Sequence, residues 1–226
     1  HVASDALALG ALAGSHPQGG VIVISGEDPW CESTQVPADS RFLFEHLRMA
    51  VVEPGGLQEV KDWIDLSFKL SRAGGMYIGY IVTVAQADGG GTVQCRPNQF
   101  PQVNTKDKFA IDTASLDLEK NVLLPPRTWR REIGMEERYL LTMDKARELG
   151  INRITRPAKP DVAPIGFIVT GMGGPYLEHV LAEISLSGEF PILNMGLSYP
   201  TDARLVAEFS TLCRDMIVIE ERRGFL

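Results

Sequence analysis

Four consecutive apolar residues, Val21-Ile22-Val23-Ile24, mark the first clear strand, Gly20 to Ser25. An unbroken apolar run, rather than an alternating one, is the pattern of a strand buried on both faces of a parallel sheet. Ahead of it, Asp5 to Ala13 (DALALGALA) has helix-forming composition, with Gly14 at the place of a stop. Ala50 to Pro54 predicts a short strand ending in a turn. Leu57, Val60, Ile64 and Phe68 then recur at helical spacing, and Trp63 and Leu66 widen the stripe. Glu59 lies in the first turn of that helix, Lys69 and Arg72 in the last, and Gly74 at the stop. Met76 to Val84 follows as a strand. Strand–helix–strand with this patterning is a βαβ unit.

From Gln86 to Pro164 the regularity fails, punctuated by Gly89-Gly90-Gly91, Pro97, Pro101, Pro125-Pro126, Pro157 and Pro160. One helix is expected there, Glu136 to Leu149, with Gly150 after its end. So long a stretch with little structure suggests a connection between domains or an arm over a partner. After Pro164 the pattern sharpens: Ile165 to Val169 a strand, Tyr176 to Leu186 a helix, Pro191 to Leu197 a strand, Asp202 to Leu212 a helix, Met216 to Ile219 a strand. That order is a small doubly wound domain. The sequence therefore predicts an α/β protein with parallel doubly wound sheets, divided into 1–88, an irregular connection over 89–163, and 164–226.

Composition narrows the function classes. The 226 residues carry 22 basic and 29 acidic side chains, a net charge of −7, with no Lys/Arg cluster. A nucleic-acid partner is not expected on that balance. No apolar run approaches the about 20 residues of a membrane-spanning helix, and no membrane association is expected. Three scattered cysteines, Cys31, Cys95 and Cys213, form no CxxC pair, which argues against a zinc or iron–sulfur site within the chain and fits a reducing, cytoplasmic setting. The chain opens at His1-Val2-Ala3 without an initiating Met or a signal-peptide pattern, which reads as a piece of something longer.

Two loops could carry chemistry. Thr170-Gly171-Met172-Gly173-Gly174-Pro175-Tyr176 stands where a dinucleotide fingerprint would, but Tyr176 replaces the third glycine and would hinder close helix–strand packing. A tight turn needing glycine dihedrals is the better reading, with N–H groups that could receive an anion or an acidic side chain. Gly26 to Gln35 (GEDPWCESTQ) lies beyond the carboxyl end of the first strand, the edge where open α/β sheets bind ligands. As a solvated loop it would merely cap a helix through Ser33 or Thr34. As a crevice lining, it would offer Cys31, Glu32, Ser33 and Gln35. No histidine stands beside Cys31 in sequence to activate it as a nucleophile. Glu220-Glu221-Arg222-Arg223 reads as a polar strand end.

The ordered set of motifs resembles a known family. Gly19-Gly20-Val21-Ile22-Val23-Ile24, Glu27-Asp28-Pro29-Trp30-Cys31-Glu32-Ser33, Asp39-Ser40-Arg41-Phe42 and Val52-Glu53-Pro54 with Gln58-Glu59 are similar to the indolepyruvate:ferredoxin oxidoreductases, closest to their long, fused form. Gly166-Phe167-Ile168-Val169-Thr170-Gly171, Met195 to Pro200 and Val218 to Arg223 resemble the same family's following domain, in the same order. These are thiamine-diphosphate enzymes that oxidatively decarboxylate 2-oxoacids to acyl-CoA.

The resemblance implies a partial thiamine-pyrimidine-type domain followed by a transketolase-C-terminal-like domain. It implies thiamine diphosphate, Mg²⁺ and iron–sulfur clusters as cofactors. It implies a 2-oxoacid, coenzyme A and ferredoxin as partners, with the remaining domains or subunits of the enzyme, and assembly as a homo-oligomer. By family position, His1, Ser4 and Asp5 would lie toward the thiazolium, with Cys31, Glu32, Ser33 and Gln35 at the crevice rim. The family's cofactor glutamate falls upstream of the point matching His1, and neither its G-D-G motif nor its cluster cysteines occur here. The isolated chain is therefore expected to be inactive. The rival reading is a non-catalytic scaffold or assembly subunit that keeps the fold without the cofactor.

Overall fold

The computed structural model of the chain describes residues 3–97, 113–115, 117–157 and 162–226. Its first helix, α1 (Ser4–Ala13), ends at Gly14, where a φ of 88° turns the chain toward β1 (Val21–Glu27). A short helix, α2 (Arg41–His46), precedes β2 (Ala50–Val52), and α3 (Leu57–Gly74) leads into β3 (Tyr77–Thr83). The predicted βαβ unit is present, because β2 and β3 pair in parallel across α3. Helix α3 stops at Gly75, which takes the left-handed conformation, one residue beyond the expected stop. Gly74 has a different use. A Cβ there would stand 2.0 Å from Thr142 Oγ1, so its bare Cα is what lets α7 (Met135–Glu148) press against α3.

Between 86 and 164 the chain holds more than the single expected helix. Alongside α7 it forms α4 (Val84–Asp88), a 3₁₀ turn at Thr113–Ser115, α5 (Leu118–Asn121), α6 (Arg127–Ile133) and a strand, β4 (Asn152–Thr155). Arg138, on α7, explains why that helix belongs with the first sheet. Its guanidinium donates to the carbonyls of Ala11, Leu12 and Gly74 at 3.1–3.3 Å and to that of Gly75, closing the carboxyl ends of α1 and α3 together.

The last third follows the expected alternation: β5 (Ala163–Val169), α8 (Gly173–Glu183), β6 (Ile192–Met195), β7 (Leu197–Tyr199), α9 (Ala203–Phe209) and β8 (Cys213–Ile219). Helix α8 begins three residues before the expected Tyr176. Tyr176 does not obstruct packing, because it points outward and is 47% exposed. The close approach falls at Gly173, where a Cβ would meet the Ile219 carbonyl at 2.7 Å.

Among the described residues, two four-stranded sheets result, ordered β1-β3-β2-β7 and β4-β6-β5-β8. All pairings are parallel except β2–β7 and β4–β6. The single strand expected from Pro191 to Leu197 is thus two strands, in different sheets. The switch is at Gly196, whose hydrogen leaves room for the Trp63 indole: a Cβ would lie 2.4 Å from Trp63 Cη2 and 2.7 Å from the Ile151 carbonyl. Asn152 of β4 secures the crossing by accepting from Leu197 N at 2.8 Å.

The position of β1 corrects the sequence reading. It pairs with β3 alone and forms an edge of its sheet among the described residues, with Ile24 63% exposed rather than buried. The central strands of that sheet are β3 and β2, whose Ala50, Val51, Val52, Ile78 and Tyr80 are fully buried. A second core gathers Leu193, Met195 and Phe209 around the other sheet.

Candidate functional site

The carboxyl ends of β1, β2 and β3 turn toward the loops that follow β5 and β8. Strand ends of this kind carry the ligand crevice in open α/β sheets, because the loops diverge there and backbone groups are left unpaired. Here the edge gathers acids. Glu27 closes β1, Glu53 follows β2, and Glu221 follows β8; with Asp39, Arg41 and Thr83 they line one small cavity. Glu27, Glu53 and Arg41 are all buried.

Arg41, at the start of α2, is the anchor. Its Nε and Nη2 grip the two oxygens of Asp39 at 2.9 and 3.0 Å, and its Nη1 donates to Glu220 Oε1 at 2.9 Å. A further donation at 3.1 Å goes to the Arg223 carbonyl. Arg223 in turn donates to Asp39 Oδ2 at 3.1 Å and lies 3.8 Å over the Phe42 ring. Glu220 accepts from the backbone N–H groups of Phe225 and Leu226. The turn after β8 is thereby fastened to α2. Burial alone would raise the Asp39 pKa, but Arg41 and Arg223 overcome it and hold the carboxyl below its usual range.

Among the described residues, Glu53 and Glu221 make no ion pair of that kind, though Arg41 attracts both from nearby. Both approach Gly171, where a Cβ would stand 3.5 Å from Glu53 Oε2 and 3.8 Å from Glu221 Oε2. The turn after β5, rich in glycine, therefore admits acidic side chains against its backbone. Burial pushes the Glu53 carboxyl up, against the pull of Arg41. Burial and the neighbouring Glu53 carboxyl push Glu221 up to about 7. The Thr170 and Ser198 hydroxyls lie beside Glu53 without hydrogen bonds of ordinary geometry, and Glu53 Oε1 has no partner. Glu27 accepts from Ser25 Oγ at 2.8 Å through one oxygen and leaves Oε2 unpartnered.

The loop after β1 is organised around Asp28. Its carboxylate accepts from the backbone N–H of Glu32, Ser33 and Thr34 at 2.7–2.8 Å and from the Thr34 hydroxyl at 2.9 Å. Those donors outweigh the effect of burial and keep Asp28 ionised far below the usual carboxylate range. Ser33 and Gln35 are exposed, and the Ser33 hydroxyl turns toward Asp28 at 3.3 Å. Cys31 sits in the left-handed region at φ 59°, half-buried. Of the loop residues singled out from sequence, only Glu32 is felt by the carboxylate cluster, raising Glu221 and Tyr176. Ser4 and Asp5 open α1 and do not line the cavity; His1 lies outside the described residues.

The buried acids and Arg41 were missed as a site. Arg41, Glu53 and Glu220–Arg223 all sit within the motifs that carry the family resemblance, but no spacing rule joins residues so far apart in the chain. Unpaired buried carboxylates show only once the sheets are assembled.

No protein-family model matches the chain. Among curated proteins it is similar to indolepyruvate oxidoreductase subunit IorA of Methanothermobacter marburgensis, with 27% identity over 223 residues, covering 98% of this chain and 34% of that protein. The Archaeoglobus fulgidus IorA subunit is 24% identical over 226 residues, covering 100% and 34%. That of Pyrococcus horikoshii is 25% identical over 204 residues, covering 90% and 30%. The chain spans about one third of the length of these relatives. Among solved structures, the 2-oxoglutarate:ferredoxin oxidoreductase from Magnetococcus marinus, with 2-oxoglutarate, coenzyme A and succinyl-CoA bound, shares the fold. The TM-score is 0.56 at 12% identity, covering 95% of this chain and 44% of that one. The resemblance read from the sequence therefore holds: over 90–100% of its length, this α/β chain is similar to the IorA subunits of indolepyruvate oxidoreductases.

Proposed function

We propose that the chain is part of an indolepyruvate-type 2-oxoacid:ferredoxin oxidoreductase. The observation that supports this most is the similarity to IorA subunits across essentially every element, from α1 to the turn after β8. In the proposed reaction the 2-oxoacid loses CO₂, its acyl carbon gives up two electrons singly to ferredoxin, and the acyl group forms a thioester with coenzyme A.

Thiamine diphosphate is the cofactor that the family implies, and the residues described here do not make a site for it. The N–H groups that could hold a diphosphate after β1 are already taken by the Asp28 carboxylate. No group of three His, Cys, Asp or Glu side chains able to hold a metal ion occurs among the described residues. In this reading, the parts of the protein corresponding to the other two thirds of the relatives hold the cofactor and clusters. This chain supplies a rigid wall, with the Asp28 loop and its Cys31, Glu32, Ser33 and Gln35 at the crevice rim. The test is product analysis of the full protein given a 2-oxoacid, coenzyme A and oxidised ferredoxin. The corresponding acyl-CoA is expected; a full protein that yields none with indolepyruvate, 2-oxoglutarate or pyruvate would favour the scaffold.

A further inference from the structure

Among the described residues, β8 ends its sheet and pairs only with β5, in one unbroken register. Thr170 N donates to the Ile219 carbonyl, so Ile219 turns its backbone groups toward β5. Those groups alternate sides along a strand, and the ones of Arg214, Met216 and Val218 therefore point to the open edge. Open edges are ordinarily blunted by lysine, proline or a bulge. The middle of this one is instead Met216-Ile217-Val218, each 43–45% exposed. A flank of α8 runs above it. Gly173 packs against Ile219 of β8, and Val180 and Ile184 follow about two and three turns along the same side of the helix. A right-handed β5–α8–β6 crossover likewise sets that side over β8 rather than β6. Tyr176, Val180 and Ile184 on this flank are 47–56% exposed. Strand edge and helix flank make one apolar surface that no described element covers.

We propose that this surface binds a second copy of the chain, with β8 antiparallel to its counterpart about a two-fold axis, so that two sheets become one. The charges along β8 favour that occupant and select a register. A strand paired antiparallel with itself across an axis normal to the sheet has that axis on one residue. On Arg214 or Asp215, like charges would meet, and on Val218, Asp215 would oppose Glu221. On Met216, Arg214 and Asp215 would stand against Val218 and Ile217. On Ile217, the apolar residues oppose one another, Ile217 against itself and Met216 against Val218, and Arg214 faces Glu220, opposite in sign. Met216 and Val218 then exchange both backbone hydrogen bonds, and the α8 flanks meet across the same axis. The six half-exposed side chains offer roughly 500 Å² per copy, about 1,000 Å² in all, which reaches what a specific interface needs. This inference does not depend on the proposed reaction.

The test is oxidative cross-linking of the full protein carrying Ile217→Cys. The two introduced thiols would face each other at a non-hydrogen-bonded pair, where Cα atoms stand about 4.5 Å apart, within reach of a disulfide. Oxidation should convert most of the chain to a covalent dimer of twice the mass in non-reducing electrophoresis. Arg204→Cys, on the exposed side of α9, should give no more dimer than the unaltered protein, whose native cysteines set the background. Hydrogen exchange of the unaltered full protein gives a second reading that needs no variant to fold. The Met216 and Val218 amides should be as protected as that of Ile217, which faces β5. Cross-linking at the background level, a disulfide to a different polypeptide, or Met216 and Val218 amides exchanging as fast as an open edge would each overturn the proposal.

Discussion

Arg41 and Glu220 stand 179 positions apart in the chain and meet at 2.9 Å, with 5% and 8% of their side chains exposed. The pair ties the start of α2, in the first sheet's layer, to the turn that follows the last strand of the second sheet. Asp39, Arg223 and Phe42 complete the lock. Breaking a buried pair strands the survivor's charge, so Arg41→Met should destabilise by about 3–5 kcal/mol. Glu220→Gln leaves Arg41 on Asp39 and should cost less. Denaturant titration of the full protein checks the order of the two.

The pH dependence of stability follows from the same cluster. Glu221 is raised from 4.5 to about 7 and Glu53 is raised as well, so the folded state holds protons that the unfolded chain releases. Their contribution is fully present below pH 4.5 and is lost as pH rises to about 7. Asp28 and Asp39 are depressed below 3.8, and their contribution is lost as pH falls below that value. Through these two groups, stability should decline between pH 5 and 7, and Glu221→Gln should flatten that decline. A melting curve series across pH reads it directly.

How much of this was legible in the sequence depended on whether the signal was local. The βαβ unit from β2 to β3 and the alternation after Pro164 were readable, because periodicity and glycine stops are short-range. The edge position of β1 was not: a consecutive apolar run reads as buried, and Ile24 is nonetheless exposed. The split of β6 from β7 was hidden too, since Gly196 marks a change of sheet only once Trp63 packs on it. At the site, the loop after β1 was found from its place beyond a strand. Its inward-facing anchor, Asp28, was passed over for Ser33 and Gln35, which prove exposed.

That reversal changes what the loop variants should do. Asp28→Ala removes the acceptor for three backbone N–H groups and the Thr34 hydroxyl, and should free residues 29–36 for rapid proteolysis while the sheets stay folded. Ser33→Ala removes one long, part-buried 3.3 Å contact from an exposed residue, while Asp28 keeps its other donors, and should cost under about 1 kcal/mol. Limited proteolysis of the two variants side by side distinguishes them.

Gly196→Ala should be among the more damaging small substitutions. The added methyl meets the Trp63 ring and the Ile151 carbonyl at once, and neither is a flexible chain end. A loss of about 1–3 kcal/mol is expected from such overpacking. Trp63 fluorescence should shift with it, since the indole is the group displaced.

Reduction of ferredoxin by the full protein tests the proposed reaction class most directly. The expected result is reduction that requires both a 2-oxoacid and coenzyme A and proceeds with indolepyruvate. No reduction with indolepyruvate, 2-oxoglutarate or pyruvate, from a protein supplied with thiamine diphosphate, Mg²⁺ and intact clusters, would contradict it.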